Sequence, residues 1–179
     1  AVVALWARIL LELTSSRLFL KTVKNDSEKR NISARFAAHG IDPERLILEG
    51  MSPHEEYFAA YNRVDITLDP FPYAGGMTSL DSLWMAVPVL TRRGERVGSH
   101  LGESIAHNAG LAEWIAEDDE SYVAKAVAHS SDLRQLAELR AGLRQQVLAT
   151  SLFDGLRFAG HFENALRGMW RKRLEGWSL

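Results

Sequence analysis

The run Val64-Asp65-Ile66-Thr67-Leu68-Asp69-Pro70-Phe71-Pro72-Tyr73-Ala74-Gly75-Gly76-Met77-Thr78-Ser79-Leu80-Asp81-Ser82-Leu83-Trp84-Met85-Ala86-Val87-Pro88-Val89-Leu90-Thr91 decides the fold. Val64 to Leu68 reads as a strand, Asp69 to Gly76 as a loop, Thr78 to about Met85 as a helix, and Val87 to Thr91 as a second strand. Strands separated by one helix each need crossover connections, and crossovers produce parallel pairing.

The same alternation extends in both directions. Upstream, Val2, Leu5, Trp6, Ile9, Leu10 and Leu13 recur at helical spacing, and Arg17 to Val23 reads as a buried strand. Asp26 or Ser27 is expected to cap a second helix, with Ile32, Phe36 and Ala37 inward and a stop at Gly40. Arg45 to Leu48 follows as a strand. Ser52-Pro53-His54-Glu55-Glu56 then opens a helix, with Ser52 as capping hydroxyl and acids at the positive dipole end. Downstream come a helix from Ser99 to Asn108 closed by Gly110, a short strand from Glu113 to Ala116, and helix thereafter. Leu133, Leu136, Leu139 and Leu143 form one apolar stripe; Leu156, Phe158, Phe162, Leu166, Met169 and Trp170 form another. The expected architecture is α/β: a Rossmann-like, doubly wound parallel sheet over residues 1–150, followed by a C-terminal helical tail over 151–179.

Composition narrows the function classes. A chain of 179 residues, 46% hydrophobic and 25% charged, fits one soluble lobe. A net charge of −2 argues against a surface built to neutralise nucleic-acid phosphates. With no cysteine, disulfides, zinc thiolates and thiol nucleophiles are excluded, and a reducing, cytoplasmic compartment is expected. The apolar run from Ala1 to Leu13 is interrupted by Arg8 and Glu12, so no membrane span is expected. The chain starts at Ala1 directly in helical sequence, which suggests a piece of a longer protein.

Ligands of open parallel α/β sheets bind beyond the carboxyl ends of the strands, where the loop from Asp69 to Met77 lies. Gly75 and Gly76 allow close backbone approach and permit positive φ. Thr78 and Ser79 start a helix whose free N–H groups and dipole favour a phosphate. Asp81, one turn on, is placed to accept hydrogen bonds from ribose hydroxyls. The usual phosphate fingerprints, G-x-x-x-x-G-K-[ST] and G-x-G-x-x-G, are absent. A Gly-Gly pair also precedes helices in loops that bind nothing, and on spacing alone the two readings stand level.

The Val64–Thr91 run resembles the signature of O-GlcNAc-transferase and SPINDLY-like glycosyltransferases, whose bacterial members read close to VDIALDPFPYNGGTTTLDALWMGVPVVT. The resemblance continues through Gly94-Glu95, Ser99-His100, Ala109-Gly110-Leu111, Glu120-Ser121-Tyr122, Leu139-Arg140, Leu143-Arg144, Ser151-Leu152-Phe153-Asp154 and Met169-Trp170. It implies the C-terminal lobe of a GT-B fold that binds a UDP-sugar, with UDP-GlcNAc as the expected donor. It further implies an inverting, metal-independent transfer to a protein or peptide acceptor, with no cofactor because the nucleotide sugar is a substrate. By the resemblance, Met77 and Thr78 face the diphosphate, Asp81 holds the ribose, and Ser52, His54 and Tyr57 contact the uridine, with Gly75 and Gly76 in the loop between. The family's N-terminal catalytic lobe, its phosphate-binding lysine and its tetratricopeptide repeats are expected as partners outside this chain. No catalytic residue is therefore assigned here, and the chain alone is expected to be inactive. Three positions depart from the family: Ala74 replaces asparagine, Met77 replaces threonine, and Tyr57 stands where animal members use histidine. Met77 motivates one alternative, a non-catalytic nucleotide-binding or interaction domain, and the resemblance to SPINDLY-like proteins implies another, a transferase using GDP-fucose.

The other polar clusters have plainer readings. His39, His107 and Asn108 sit near helix ends, and His100 divides evenly between a structural and a donor-side role. His129 and His161 are expected to be solvated, as is the Arg92, Arg93 and Arg96 cluster. Arg167, Arg171, Lys172 and Arg173 suit a helix C-terminus. Trp84 and Trp114 read as core, and Trp170 and Trp177 as residues that cross to the other lobe.

Overall fold

The structure, a computed structural model, describes residues 2–176; Ala1 and Trp177 lie outside them. Helix α1 (Val2–Glu12) leads into strand β1 (Leu18–Leu20), α2 (Asp26–Ala37), β2 (Leu46–Leu48), α3 (His54–Ala60) and β3 (Thr67–Leu68). There follow α4 (Met77–Trp84), β4 (Val89–Arg92), α5 (Leu101–Asn108) and β5 (Ile115–Ala116). Helices α6 (Asp119–Ser131), α7 (Leu133–Leu148) and α8 (Gly155–Glu175) complete the chain. No helix among the described residues is long and apolar enough to cross a membrane.

All strand pairings are parallel, as the alternation requires. β1 pairs with β2, Leu18 opposite Leu46, and β3–β4–β5 form a second ladder, Thr67 opposite Val89 and Thr91 opposite Ile115. The expected sheet is thus made in two hydrogen-bonded parts. Strand β3 is shorter than Val64–Leu68 because Val64 N–H turns back to the Tyr61 carbonyl at 3.1 Å, ending a 3-10 turn. The two parts share a hydrophobic interior: Trp6 and Leu68 touch both the core under β1–β2, with Phe36 and Ile41, and the core under β3–β5, with Leu83, Leu90 and Tyr122. The architecture is mixed α/β with parallel strands and a helical C-terminal region, consistent with a Rossmann-like lobe.

Local signals explain the element ends, with two corrections. Helix α2 is capped by Asn25, whose side chain accepts from Glu28 N–H, and not by Asp26 or Ser27. One residue earlier wins because Asn25 takes the extended backbone an N-cap needs. Helix α3 starts at His54 with Pro53 in the cap position; the Ser52 hydroxyl caps nothing and is buried without a hydrogen-bond partner. Proline's fixed geometry sets this start, so no side-chain cap is required. Gly40 and Gly110 do close α2 and α5, at φ +80° and +74°.

Two of the solvated readings, His129 and Arg92, need revision, since both are partly buried. His129 stacks on the buried Trp114 ring, centroids 3.8 Å apart, and that burial lowers its pKa. Arg92 pairs with Asp119 and lies over the Phe71 ring, while Arg93 bridges Glu103 and Glu117. Arg93 and Arg96 remain exposed, as do His39 and His161. His100 pairs with Glu103 at 2.8 Å, a contact within its own helix start.

Candidate functional site

At the carboxyl end of β3 the chain enters a loop with a cis Phe71–Pro72 peptide and returns at Gly76 to start α4. Gly75 and Gly76 are not needed for positive φ, since neither adopts it. Their role is clearance. A Cβ on Gly75 would stand 2.6 Å from Ser79 Oγ, 2.7 Å from Thr78 Oγ1 and 2.9 Å from Asp69 Oδ1, and one on Gly76 would press on Leu101. No side chain caps α4, so its first amides and positive dipole end face outward. Met77, 71% exposed, and the exposed Thr78 are the first two helical residues. This edge is an open face. The nearby cavity of about 220 Å³ is lined by Lys21, Glu49 and Arg63, and another of about 150 Å³ by Trp114, His129 and Leu136; neither borders Asp81.

Helices α3 and α4 meet through hydroxyls. Tyr57 donates to Asp81 Oδ2 at 3.1 Å and lies 2.9 Å from the Tyr61 hydroxyl. Tyr61 in turn lies 3.3 Å from the Thr78 carbonyl, so two tyrosines one turn apart grip the first turn of α4. Burial raises the pKa of both phenols, and the neighbouring Asp81 charge raises them further. Both therefore remain protonated donors at neutral pH. Edge-to-face contact at 5.6 Å fixes the two rings relative to one another.

Of the residues singled out in the sequence, Tyr57, Gly75, Gly76, Met77, Thr78 and Asp81 gather around the start of α4. Ser52 is half-buried at the approach to α3, past the carboxyl end of β2. His54 is exposed, with its ring on Phe58 at 4.8 Å, and makes no hydrogen bond to the Tyr57–Asp81 pair. Sequence reasoning missed Tyr61, although its four-residue offset from Tyr57 places the two on one helical face. It also missed Asp69, the one carboxylate among the buried polar residues in the described part of the chain. The signal available for Asp69 was its place at a strand end facing a glycine loop.

Chemically, the arrangement offers backbone N–H groups and a helix dipole for an anion, a carboxylate one turn behind for hydroxyls, and an aromatic side chain beside it. That set fits a phosphorylated sugar or nucleotide.

Comparison with known proteins agrees with this chemistry. Residues 1–162 match the profile of glycosyl transferase family 41. The chain is 34% identical over 178 residues to a tomato (Solanum lycopersicum) protein described as a probable UDP-N-acetylglucosamine–peptide N-acetylglucosaminyltransferase SPINDLY, covering 98% of this chain and 19% of that protein. It is 27% identical to the UDP-N-acetylglucosamine–peptide N-acetylglucosaminyltransferase of Caenorhabditis elegans, covering 96% of this chain and 15% of that protein. Among solved structures, a mutant O-GlcNAc transferase from Thermobaculum terrenum superposes with a TM-score of 0.89 at 36% identity, covering 96% of this chain and 33% of that one. The chain thus spans about a fifth of the tomato relative and a third of the solved relative.

Proposed function

The chain belongs to glycosyl transferase family 41, and on that premise we propose that it is the donor-binding lobe of a protein O-glycosyltransferase that uses a UDP-sugar, UDP-GlcNAc first. The Tyr57–Asp81 hydrogen bond carries the proposal. It joins the segment that resembles the family's uridine-contacting region to the helix start that resembles its diphosphate- and ribose-contacting region. In this reading the amides of Met77 and Thr78 meet the diphosphate and Asp81 takes the ribose hydroxyls. Ser52, His54 and Tyr57 line the base side, and the unpartnered Ser52 hydroxyl suits a hydrogen bond from a ligand. Gly75 and Gly76 keep the approach clear.

The general base and acceptor groove belong to an N-terminal lobe outside this chain, so the lobe by itself binds donor and does not catalyse transfer. Short coverage of the relatives supports this division. The proposed reaction inverts the anomeric centre without a metal, and the full protein acts on protein or peptide acceptors in the cytoplasm. The C-terminal helical tail returns to the N-terminal lobe in this scheme, supported by the exposed apolar face of α8.

A second reading rests on Met77, which puts an exposed thioether where the family has a hydroxyl and so favours a binding domain without transfer. Failure of the intact protein to hydrolyse or transfer any nucleotide sugar would favour that second reading, and calorimetric titration with UDP, with GDP as control, tests the donor nucleotide. Saturable UDP binding lost in Asp81→Ala supports the UDP-sugar site. Preference for GDP moves the assignment to a GDP-fucose donor, and no binding of either in the intact protein sinks the donor reading.

A further inference from the structure

Asp69 is 2% exposed, yet no cation is bonded to its carboxylate; all its partners are neutral donors. Oδ1 accepts the Gly75 N–H at 2.7 Å, Oδ2 accepts the Thr91 hydroxyl at 2.7 Å, and the Ser79 hydroxyl adds a further hydrogen bond. Burial raises its pKa against these stabilising bonds. The backbone of the same residue is held too: its N–H donates to Leu90 O at 2.9 Å and its carbonyl accepts the Tyr122 hydroxyl at 3.1 Å. Gly102, in the first turn of α5, packs so closely that any side chain there would collide with Asp69 Oδ2 and Thr91 Oγ1.

Burying a carboxylate is costly, and an apolar residue would serve a plain core better. What the carboxylate achieves here is geometric. Asp69 is where the chain leaves β3, and Gly75 is where it turns into α4, so one side chain closes the loop end to end. Thr91 anchors the other oxygen to β4, which makes the closure rigid with respect to the sheet.

We propose that Asp69 is the positioning residue of the donor site: its carboxylate staples the end of β3 to Gly75 and so fixes where the amides of α4 meet the donor's diphosphate. The proposal rests on the donor-site reading above, and adds that the site's preorganisation comes from a buried group that never touches the ligand.

The test compares Asp69→Ala and Asp69→Asn with the parent in the intact protein, reading amide exchange by mass spectrometry and UDP affinity by calorimetry. Asp69→Ala is expected to speed exchange across residues 70–78 while strands β4 and β5 keep their protection, and to weaken UDP binding at least tenfold. Asp69→Asn keeps an oxygen to accept the Gly75 N–H and is expected to restore most of both. Wild-type exchange in the loop of Asp69→Ala, or UDP affinity within twofold of the parent, overturns the proposal. So does a uniform rise of exchange across the whole lobe, which would mark Asp69 as general core. Where Asp69→Ala does not fold, Thr91→Val removes one donor at constant volume; a loosened loop and several-fold weaker UDP binding are expected, with Thr91→Ser restoring both, and parent-like values overturn the idea. Absence of UDP binding in the parent is a failure of the donor reading, and the exchange comparison distinguishes it from a failure of Asp69 to hold the loop.

Discussion

Leu83, Val87, Leu90, Leu143 and Val147 have no accessible surface, whereas α8 runs 21 residues without burying one. Both regions carry apolar stripes at helical spacing, so the difference is not one of local pattern. Helix α7 has a partner in α4 and α6, and its Leu143 closes over the β3–β5 core. On α8, Phe158 and Phe162 are 68% and 56% exposed and stack chiefly on each other. An amphipathic stripe states that a helix has a face to cover; it does not say what covers it.

The sharpest way to break this contrast is a pair of truncations. Leu143→Ala should destabilise the 179-residue chain by about 2–5 kcal/mol, the usual cost of a cavity in a close-packed interior. Phe162→Ala should change stability by under about 0.5 kcal/mol, as exposed positions do. Urea unfolding of both decides it, and a large loss at Phe162 would mean α8 packs on the lobe.

Within the lobe, the site should respond where the fold does not. Asp81→Ala is expected to weaken UDP binding by about 1–3 kcal/mol, the cost of losing a charged hydrogen-bond partner. Equal UDP affinity in mutant and parent would remove Asp81 from the ribose assignment. Tyr61→Phe probes the same grip more gently. Deleting the hydroxyl between Tyr57 and the Thr78 carbonyl should cost about 0.5–1.5 kcal/mol of UDP affinity. An unchanged titration would show that Tyr57 and Asp81 hold their positions alone.

The smallest expected effect is a pH dependence. Burial against Trp114 lowers the His129 pKa, so the folded state resists protonation that the unfolded chain accepts. The stability from neutral His129 is therefore full above the ordinary histidine pKa of about 6.5 and is lost as pH falls below it. His129→Phe should flatten that part of the fall in melting temperature between about pH 7.5 and 5. A mutant whose decline parallels the parent's would exclude His129 as its source.

Much of the site was legible because it is contiguous. Gly75, Gly76, Thr78 and Asp81 fall within one loop and one helical turn, so sequence order is nearly spatial order. Tyr57 was reachable only through family resemblance, since its contact with Asp81 spans 24 positions. Asp69 escaped notice because its partner Thr91 lies 22 positions on and in another strand. The Arg92 and His129 misreadings have the same origin: their partners Asp119 and Trp114 are brought close by packing.

The amino-acid sequence by itself determined the succession of helices and strands, the parallel sense of every pairing and a helix start close to Thr78 after the glycine loop. These follow from backbone sterics, side-chain period and crossover chirality, which act over a few residues. Only the tertiary structure decided that the sheet divides between β2 and β3, that Tyr57 and Tyr61 hold Asp81 and the Thr78 carbonyl at the start of α4, and that a buried carboxylate bonds the loop end to end. Those outcomes depend on which distant groups are desolvated together, and desolvation is a property of the assembled core.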